Sequence, residues 1–351
     1  MVTYPLTFKA AVLEKNNAPL IFREITFKGP LKPGQVLVKL YFTGICGKQI
    51  EEIDGLGGPD AFIPHLLGHE ATGIVMDVGP GVKKVNTDDS VILHWMKGSG
   101  MQSETPLYNL GDERINAGWV TTFNEYAIVS ENRVTAIPAD SDMESSPLFG
   151  CAVTTGAGAI FNDANIKPHH SVVVYGCGGV GLFVIQAAKV MSPKQIIAVD
   201  INEEALTLAK KFGATSMVNA SKLDPIKEVK RLTNGKGAER VIIITGNKQA
   251  IETAIETASI PGECIQVGVP VVGEEISING HALMHKRNIS GSLGGSTFPD
   301  IDIPAYMNLN DCGKLNVKGL ITKVLPFEQI NEGIDFVRGQ NPGRVIVKFE
   351  N

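Results

Sequence analysis

The sequence SVVVYGCGGVGLFVIQAA, residues 171–188, decides the fold of this 351-residue chain. It contains no charged residue, and its length is enough to cross a lipid bilayer. The β-branched run Val172–Val174 is followed by four glycines within six residues, however. This order predicts a buried strand, a tight turn and a helix in the core of an α/β domain, and not a membrane span.

Strands and helices alternate from Cys151 to about Gly295. Strands are predicted at Ser171–Tyr175, Gln195–Val199, Arg240–Thr245 and Glu263–Val269, and helices at Val180–Met191, Glu203–Phe212, Pro225–Thr233 and Gln249–Ser259. Such alternation predicts a doubly wound parallel sheet with helices on both faces.

The N-terminal third is predicted to be mostly β, because Gly/Pro turns separate its short apolar segments. Strands are predicted at Val36–Phe42, Thr72–Val78, Ser90–Leu93 and Thr122–Val129, and the two middle strands are expected to pair antiparallel. The polar stretch 97–116 is predicted to form a long loop or lobe, and Arg344–Phe349 to form a closing strand.

The turn Gly176-Cys177-Gly178-Gly179-Val180-Gly181 fits the pattern G-x-G-x-x-G. Glycines also serve ordinary turns, but this turn follows an apolar strand and opens a helix. An acidic residue, Asp200, then stands at the end of the next strand. Asp200 would accept hydrogen bonds from both ribose hydroxyls and repel a 2′-phosphate. The sequence therefore predicts an NAD site and not an NADP site.

The spacing within the turn has a chemical reason at each position. Gly176 permits the tight turn, Gly178 lets the backbone approach a diphosphate, and Gly181 lets the helix pack closely on the strand. Gly179 and Val180 begin the helix, whose free N–H groups and positive dipole end face the phosphates.

Composition excludes several classes of protein. The chain is 43% apolar and 20% charged with a net charge of −5, which predicts about two folded domains and no disorder or nucleic-acid binding. Five scattered cysteines do not indicate a disulfide framework. The first residues show no signal peptide. A soluble, cytoplasmic protein is therefore expected.

Three further stretches carry a resemblance to a known family. The stretch Gly68–Gly73 followed by Val78–Val82, the stretch Gly150–Gly156, and the C-terminal stretch 320–333 resemble the zinc-dependent medium-chain alcohol dehydrogenase family. The nearest branches are the long-chain and glutathione-dependent formaldehyde dehydrogenases. The resemblance implies a GroES-like catalytic domain at residues 1–152 and 295–351, and a Rossmann domain at residues 153–294.

The resemblance also implies the site residues. Cys46, His69 and Cys151 would be the ligands of a catalytic zinc, although each alone is more often a buried free cysteine or a core histidine. Glu70 would lie close behind the metal, where an ordinary strand-end charge is the alternative. The other residues assigned to the coenzyme site are Thr155 beside the nicotinamide, Val267, Val269, and Arg344 at the diphosphate, for which a core threonine and a surface arginine are the alternatives.

The chain departs from the family pattern at two places. The stretch 94–119 lacks the four cysteines of the family's structural zinc lobe, so one zinc per chain is expected, with the loop held by packing or by a partner subunit. After Cys46, Lys48 replaces the usual proton-relaying hydroxyl, and Gln49 replaces the carboxylate that orients the zinc-bound histidine. Gly47 also removes a basic side chain that often contacts the diphosphate.

Lys48 has three possible roles. Beside Zn²⁺ its ammonium would lose proton affinity and could transfer the substrate proton near neutral pH. It could instead pair with an anionic substrate group, or it could simply face solvent.

We expect an NAD- and zinc-dependent oxidoreductase that acts on a small polar alcohol or carbonyl compound and forms a homodimer or homotetramer. The alternatives are a reductase of a conjugated or imine substrate, and a non-catalytic dinucleotide-binding protein that kept the fold. Metal content separates the last alternative from the enzymes, because a sensor would need no complete ligand set.

Overall fold

The computed structural model describes residues 2–58 and 60–350. Within these ranges the chain forms eighteen strands and nine α-helices, and the strands make three sheets. Two sheets use strands from residues 6–136 and 321–348, and the third uses strands between residues 171 and 291. The prediction of a β-rich part joined to a doubly wound parallel sheet is confirmed.

The first ten strands are β1 Leu6–Leu13, β2 Ile21–Phe27, β3 Gln35–Ile45, β4 His65–Leu66, β5 Glu70–Val78, β6 Ser90–His94, β7 Tyr108–Leu110, β8 Glu113–Ile115, β9 Tyr126–Ser130 and β10 Val134–Ala136. The remaining strands are β11 Ser171–Tyr175, β12 Gln195–Asp200, β13 Ser216–Asn219, β14 Ala238–Ile243, β15 Ala258–Gln266, β16 Arg287–Gly291, β17 Ile321–Pro326 and β18 Arg344–Lys348.

The helices are α1 Gly47–Ile53, α2 Ala152–Gly158, α3 Gly179–Val190, α4 Glu203–Phe212, α5 Pro225–Leu232, α6 Lys248–Glu256, α7 Gly280–Met284, α8 Pro299–Asp311 and α9 Ile330–Arg338. Asn202, Asp224 and Asn247 cap α4, α5 and α6 by accepting hydrogen bonds from backbone N–H groups of the first turn. No helix in the described ranges is long and apolar enough to cross a membrane.

The β-rich part contains two sheets, with strand orders β4-β1-β2-β7-β8 and β10-β6-β5-β3-β18-β17, and β9 also pairs with β3. The predicted antiparallel pairing of the segments beginning at Thr72 and Ser90 is confirmed, with Thr72 opposite Ile92. The C-terminal strand β18 lies beside β3, where Val345 is opposite Ile45. This pairing brings the end of the chain next to the residues that precede Cys46.

The parallel sheet has the order β13-β12-β11-β14-β15-β16. Its central strand β11 is fully buried, as the charge-free stretch predicted, because helices cover both faces of the sheet. The chain leaves β11 in one direction to β12 and later returns to β14 on the other side. Ligands of open α/β sheets bind at the carboxyl edge where the order reverses in this way.

Several predicted boundaries were wrong. The strand predicted at Thr122–Val129 begins only at Tyr126, because the preceding residues cross to β1, where Ala11 N–H donates to Phe123 O at 2.8 Å. The helix predicted to reach Ser259 ends at Glu256, since β15 already begins at Ala258 beside β14. Strands β13 and β16 were missed because their sequences are short and largely polar.

The stretch 97–116 is not a plain loop, because it contains the paired strands β7 and β8. The buried carboxylate of Glu131 joins the segment before β7 to the loop between β5 and β6. It accepts hydrogen bonds from the N–H groups of Lys83, Lys84 and Met101 at 2.6–2.7 Å. Asp300 on α8 accepts a further bond from Ser99 N–H at 2.6 Å. Carboxylates on two other segments therefore anchor this lobe.

Candidate active site

The glycine turn lies at the carboxyl end of β11 and opens α3. Gly176 has a φ of +90°, a backbone conformation that is strained for residues with a Cβ. A side chain on Gly181 would collide with the carbonyl oxygen of Gly176, so the helix could not lie this close to the turn. Nothing lies within 4 Å of the place where a Cβ on Gly178 would stand, so the backbone there is open to a ligand.

Asp200 ends β12 beside this turn. Its Oδ2 accepts a hydrogen bond from Cys177 N–H at 2.6 Å, and its Oδ1 accepts one from Asn202 N–H at 2.8 Å. These bonds fix the carboxylate at the rim of the turn, where each oxygen keeps capacity for a further hydrogen bond. The arrangement suits a vicinal diol that donates two hydrogen bonds.

Cys46, His69 and Cys151 come together from three separate segments. Cys46 precedes α1, His69 precedes β5, and Cys151 precedes α2. Their ligand atoms all lie within 4.8 Å of one another, and His69 Nε2 is 3.2 Å from Cys151 Sγ. The antiparallel pairing of β3 with β5 positions Cys46 and His69, because the end of β3 lies beside the start of β5.

The three donors fit a zinc ion. Zinc bonds of about 2.0–2.3 Å to nitrogen and sulfur place tetrahedral ligand atoms roughly 3.5 Å apart. Cys46 is also prepared for metal binding, since hydrogen bonds from Cys151 and His69 hold the pKa of its thiol well below the ordinary value. Two sulfur atoms and one nitrogen leave a fourth position for a water molecule or substrate oxygen.

Gln49 links two of the candidate ligands. Its buried side chain places Nε2 2.6 Å from Nδ1 of His69, while its Oε1 accepts a hydrogen bond from Cys46 N–H at 3.1 Å. The amide thus occupies the orienting position that the sequence assigned to it. The ring nitrogen on the other side of His69, Nε2, points to Cys151.

Glu70 and Arg344 form a buried ion pair behind the cluster. Burial raises the pKa of the Glu70 carboxyl, and the positive charge of Arg344 opposes that rise. Burial favours the neutral guanidine of Arg344, but the negative charges of Glu70, Cys46 and Cys151 together outweigh it and raise the pKa of Arg344. Both side chains are buried, unlike the ordinary strand-end glutamate and the surface arginine that the sequence left as alternatives.

The turn and the cluster border one cleft of about 500 Å³, which we call the coenzyme cleft. The predicted site residues that line it are Cys46, Lys48, Cys151, Thr155, Gly178, Gly179, Val180, Asp200, Val267, Val269 and Arg344. His69, Glu70, Gly176 and Gly181 lie outside its lining. The Nε atom of Arg344 is buried without a hydrogen-bond partner in the described part of the chain, so it retains an unused N–H donor.

Lys48 projects from α1 into this cleft with its side chain 46% exposed. Its Nζ is 3.0 Å from Glu51 Oε2 on the same helix. Glu51 could not be predicted from the sequence, because a glutamate three residues after a lysine usually marks only a solvated helix face.

The chain is similar to known proteins over nearly its whole length. Family models for the alcohol dehydrogenase GroES-like domain and for zinc-binding dehydrogenase match residues 32–139 and 179–309. Alcohol dehydrogenase 6 of Peromyscus maniculatus is 33% identical, with 94% of each chain covered. S-(hydroxymethyl)glutathione dehydrogenase of Escherichia coli is 30% identical, with 97% of this chain and 99% of that one covered.

The same similarity holds in three dimensions. The crystal structure of benzyl alcohol dehydrogenase from Acinetobacter calcoaceticus superimposes with a TM-score of 0.90 at 28% identity. The superposition covers 98% of this chain and 100% of that one. The similarity therefore includes both the β-rich part and the parallel-sheet part.

Proposed function

Since the chain belongs to the zinc-dependent alcohol dehydrogenase family, we propose that it transfers a hydride between NAD(H) and a polar alcohol or carbonyl compound at Cys46, His69 and Cys151. The class of activity is that of a zinc- and NAD-linked oxidoreductase acting on small alcohols. The observation that carries the assignment to these residues is that three metal-type ligand atoms lie within 4.8 Å of one another beside the cleft that contains the glycine turn.

When bound, zinc would polarise the substrate oxygen, and the coenzyme would accept the hydride as NAD or supply it as NADH. The residues of the chain hold the reactants in place for this step. Gln49 orients the His69 ring, and Asp200 accepts hydrogen bonds from the adenosine ribose. Glu70 and Arg344 support the cluster from behind, and the unpartnered Nε of Arg344 is available to a phosphate.

The other lining residues shape the cleft. Thr155 lies with Cys151 at the nicotinamide end in this proposal, and Val267 and Val269 supply apolar wall. We assign Lys48 to the binding of negative charge in the coenzyme cleft, because its ammonium is exposed and lines the same surface as the glycine turn. The backbone at Gly178 is open for the diphosphate itself.

The domain division proposed from the sequence places residues 1–152 and 295–351 in the catalytic domain and residues 153–294 in the coenzyme domain. The strand pairing supports it, since all strands of the parallel sheet lie between residues 171 and 291.

We also propose a homodimer or homotetramer. The edge strand β16 is flanked in sequence by the exposed apolar side chains of Met284 and Leu293, each at least 70% exposed.

Metal analysis combined with a coenzyme assay tests the proposed function. The purified protein should contain one zinc per chain and should reduce NAD in the presence of an alcohol, followed by the absorbance of the reduced nicotinamide. Cys151→Ala should lose both zinc and activity, because it removes one of three protein ligands. The matched control is Cys312→Ala, which removes an exposed cysteine outside the cluster. Full zinc retention in Cys151→Ala would refute the ligand assignment.

A further inference from the structure

A second cavity of about 540 Å³, which we call the His69 cavity, shares no lining residue with the coenzyme cleft. Gln49 and His69 form part of its wall, so it also reaches the candidate metal cluster. The rest of the wall comes from the ranges 60–68 and 116–121, together with Glu52 and Thr105. The cluster therefore borders two separate spaces, one lined by Cys46 and Cys151 and the other by His69.

The acidic side chains in the wall of the His69 cavity are Glu52 and Asp60, and no Lys or Arg lines it among the described residues. Asp60 and His65 form a nearly buried pair, with Oδ2 2.8 Å from Nε2. Glu52 has no hydrogen-bond partner for its carboxylate in the part of the chain that the structure describes. An anionic substrate would thus meet carboxylates in a wall that offers no Lys or Arg, and a hydroxyl group would meet the free acceptor of Glu52.

The remaining wall combines hydroxyl groups with apolar ring faces. The side chains of Thr105 and Thr121 make no hydrogen bond within the described ranges, so their hydroxyl groups can serve a ligand. Phe62 and Trp119 line the cavity and are 68% and 49% exposed. Exposed aromatic faces pack against C–H groups, so this wall suits a molecule with alternating hydroxyl and C–H surfaces.

We propose that the His69 cavity holds the body of the substrate, and that this substrate is an uncharged, hydroxyl-rich alcohol of the polyol class. The proposal rests on the proposed function, because it requires the nicotinamide to fill the space beside Cys46 and Cys151. The reacting oxygen must then approach the cluster from a space that the coenzyme leaves open, and the His69 cavity borders the third ligand. Glu52 would accept a hydrogen bond from a hydroxyl group other than the reacting one.

The first experiment compares substrates with the zinc-loaded protein and NAD. Xylitol and sorbitol represent polyols, 1-propanol a simple alcohol, lactate an anionic hydroxy acid, and ethanolamine a cationic alcohol. We expect kcat/KM to be at least about tenfold higher for a polyol than for the other three probes. Equal or higher kcat/KM for lactate, ethanolamine or 1-propanol would overturn the proposal.

Two variants test the location. Glu52→Gln keeps the size of the side chain and removes its charge, so KM for the polyol should rise about tenfold while kcat changes little. Gly118→Phe places a ring in the His69 cavity, because only the Val120 carbonyl oxygen, 3.8 Å away, lies near a Cβ at this position. This variant should lower kcat/KM for the polyol at least tenfold. Glu24→Gln, on an exposed position of β2, is the matched control.

Coenzyme binding separates a local effect from misfolding. The Kd for NADH, measured by the fluorescence of the bound coenzyme, should stay within about twofold of the parent value in Glu52→Gln and Gly118→Phe. An equal loss of kcat/KM for 1-propanol and xylitol in Glu52→Gln, or unchanged polyol kinetics in both variants, would overturn the proposal. Failure of every alcohol to reduce NAD would refute the proposed function itself, whereas alcohol oxidation without these preferences refutes only the role of the His69 cavity.

Discussion

The side-chain nitrogen of Gln49 lies 2.6 Å from Nδ1 of His69, so an uncharged amide holds the imidazole that faces the candidate metal position. A carboxylate in this position would make the imidazole a stronger donor, because its negative charge stabilises positive charge on the ring. The same amide group also binds the backbone of Cys46 at 3.1 Å. One side chain thus sets the positions of two of the three candidate ligands.

Zinc affinity should depend on this contact. We expect Gln49→Ala to weaken zinc binding roughly 10–100-fold, because the His69 ring loses its orienting partner. Gln49→Asp should bind zinc more tightly than Gln49→Ala. The measurement is zinc transfer to a chelator of known affinity, and Gln249→Ala, at an exposed position of α6, is the control. Equal zinc affinity in Gln49→Ala and the parent would show that the contact is dispensable.

Coenzyme preference should depend on Asp200. The parent protein should have a kcat/KM at least about tenfold higher with NAD than with NADP, since a 2′-phosphate would meet the Asp200 carboxylate. Asp200→Ser combined with Ile201→Arg should move the preference toward NADP by roughly tenfold or more, because Ile201 is 60% exposed and an arginine there has room beside the ribose. Similar kcat/KM values for both coenzymes in the parent would contradict the assignment of Asp200.

Lys48→Met distinguishes the possible roles of Lys48. If its ammonium binds negative charge in the coenzyme cleft, the Kd for NADH should rise several-fold while kcat remains close to the parent value. Lys48→Arg should restore most of the affinity. A fall in kcat with loss of one limb of the pH–rate profile would instead indicate proton transfer by Lys48. Unchanged Kd, KM and kcat would mean that the side chain only faces solvent and Glu51.

Acid should weaken the lobe that Glu131 anchors. Although partial desolvation raises the pKa of Glu131, hydrogen bonds from Lys83, Met101 and Lys84 outweigh it, and the pKa is lowered. A group whose pKa is lowered on folding stabilises the protein fully above the unfolded value, here 4.5, and this contribution is lost as the pH falls through the lower folded value.

We therefore expect Glu131→Gln to reduce the free energy of unfolding at pH 7 by about 1–3 kcal/mol. The parent should lose more stability than the variant between pH 5 and roughly pH 3, because only the parent has this carboxylate to protonate. Urea unfolding at both pH values measures the difference, and Glu113→Gln, on an exposed position of β8, is the control. Identical pH dependence in the parent and Glu131→Gln would contradict the role of this carboxylate.

Most segments of the parallel sheet, although not β13 and β16, could be predicted because their signals are local. Apolar β-branched runs such as Ser171–Tyr175 and capped amphipathic helices such as Glu203–Phe212 carry their periodicity within a few residues. The extent of β9 and β15 could not be predicted, since their ends are set by hydrogen bonds to β1 and β14 and by no property of their own sequence.

The sequence by itself determined the parallel-sheet fold, the glycine turn with its acidic partner, and the residue types that could bind a metal. These depend on backbone conformation and on the chemistry of single side chains, which neighbouring residues already specify. Only the tertiary structure decided that Cys46, His69 and Cys151 meet, that Arg344 is buried against Glu70, and that a second cavity borders His69. Those relationships join residues up to 274 positions apart, and strand pairing and core packing, which no local pattern encodes, bring them together.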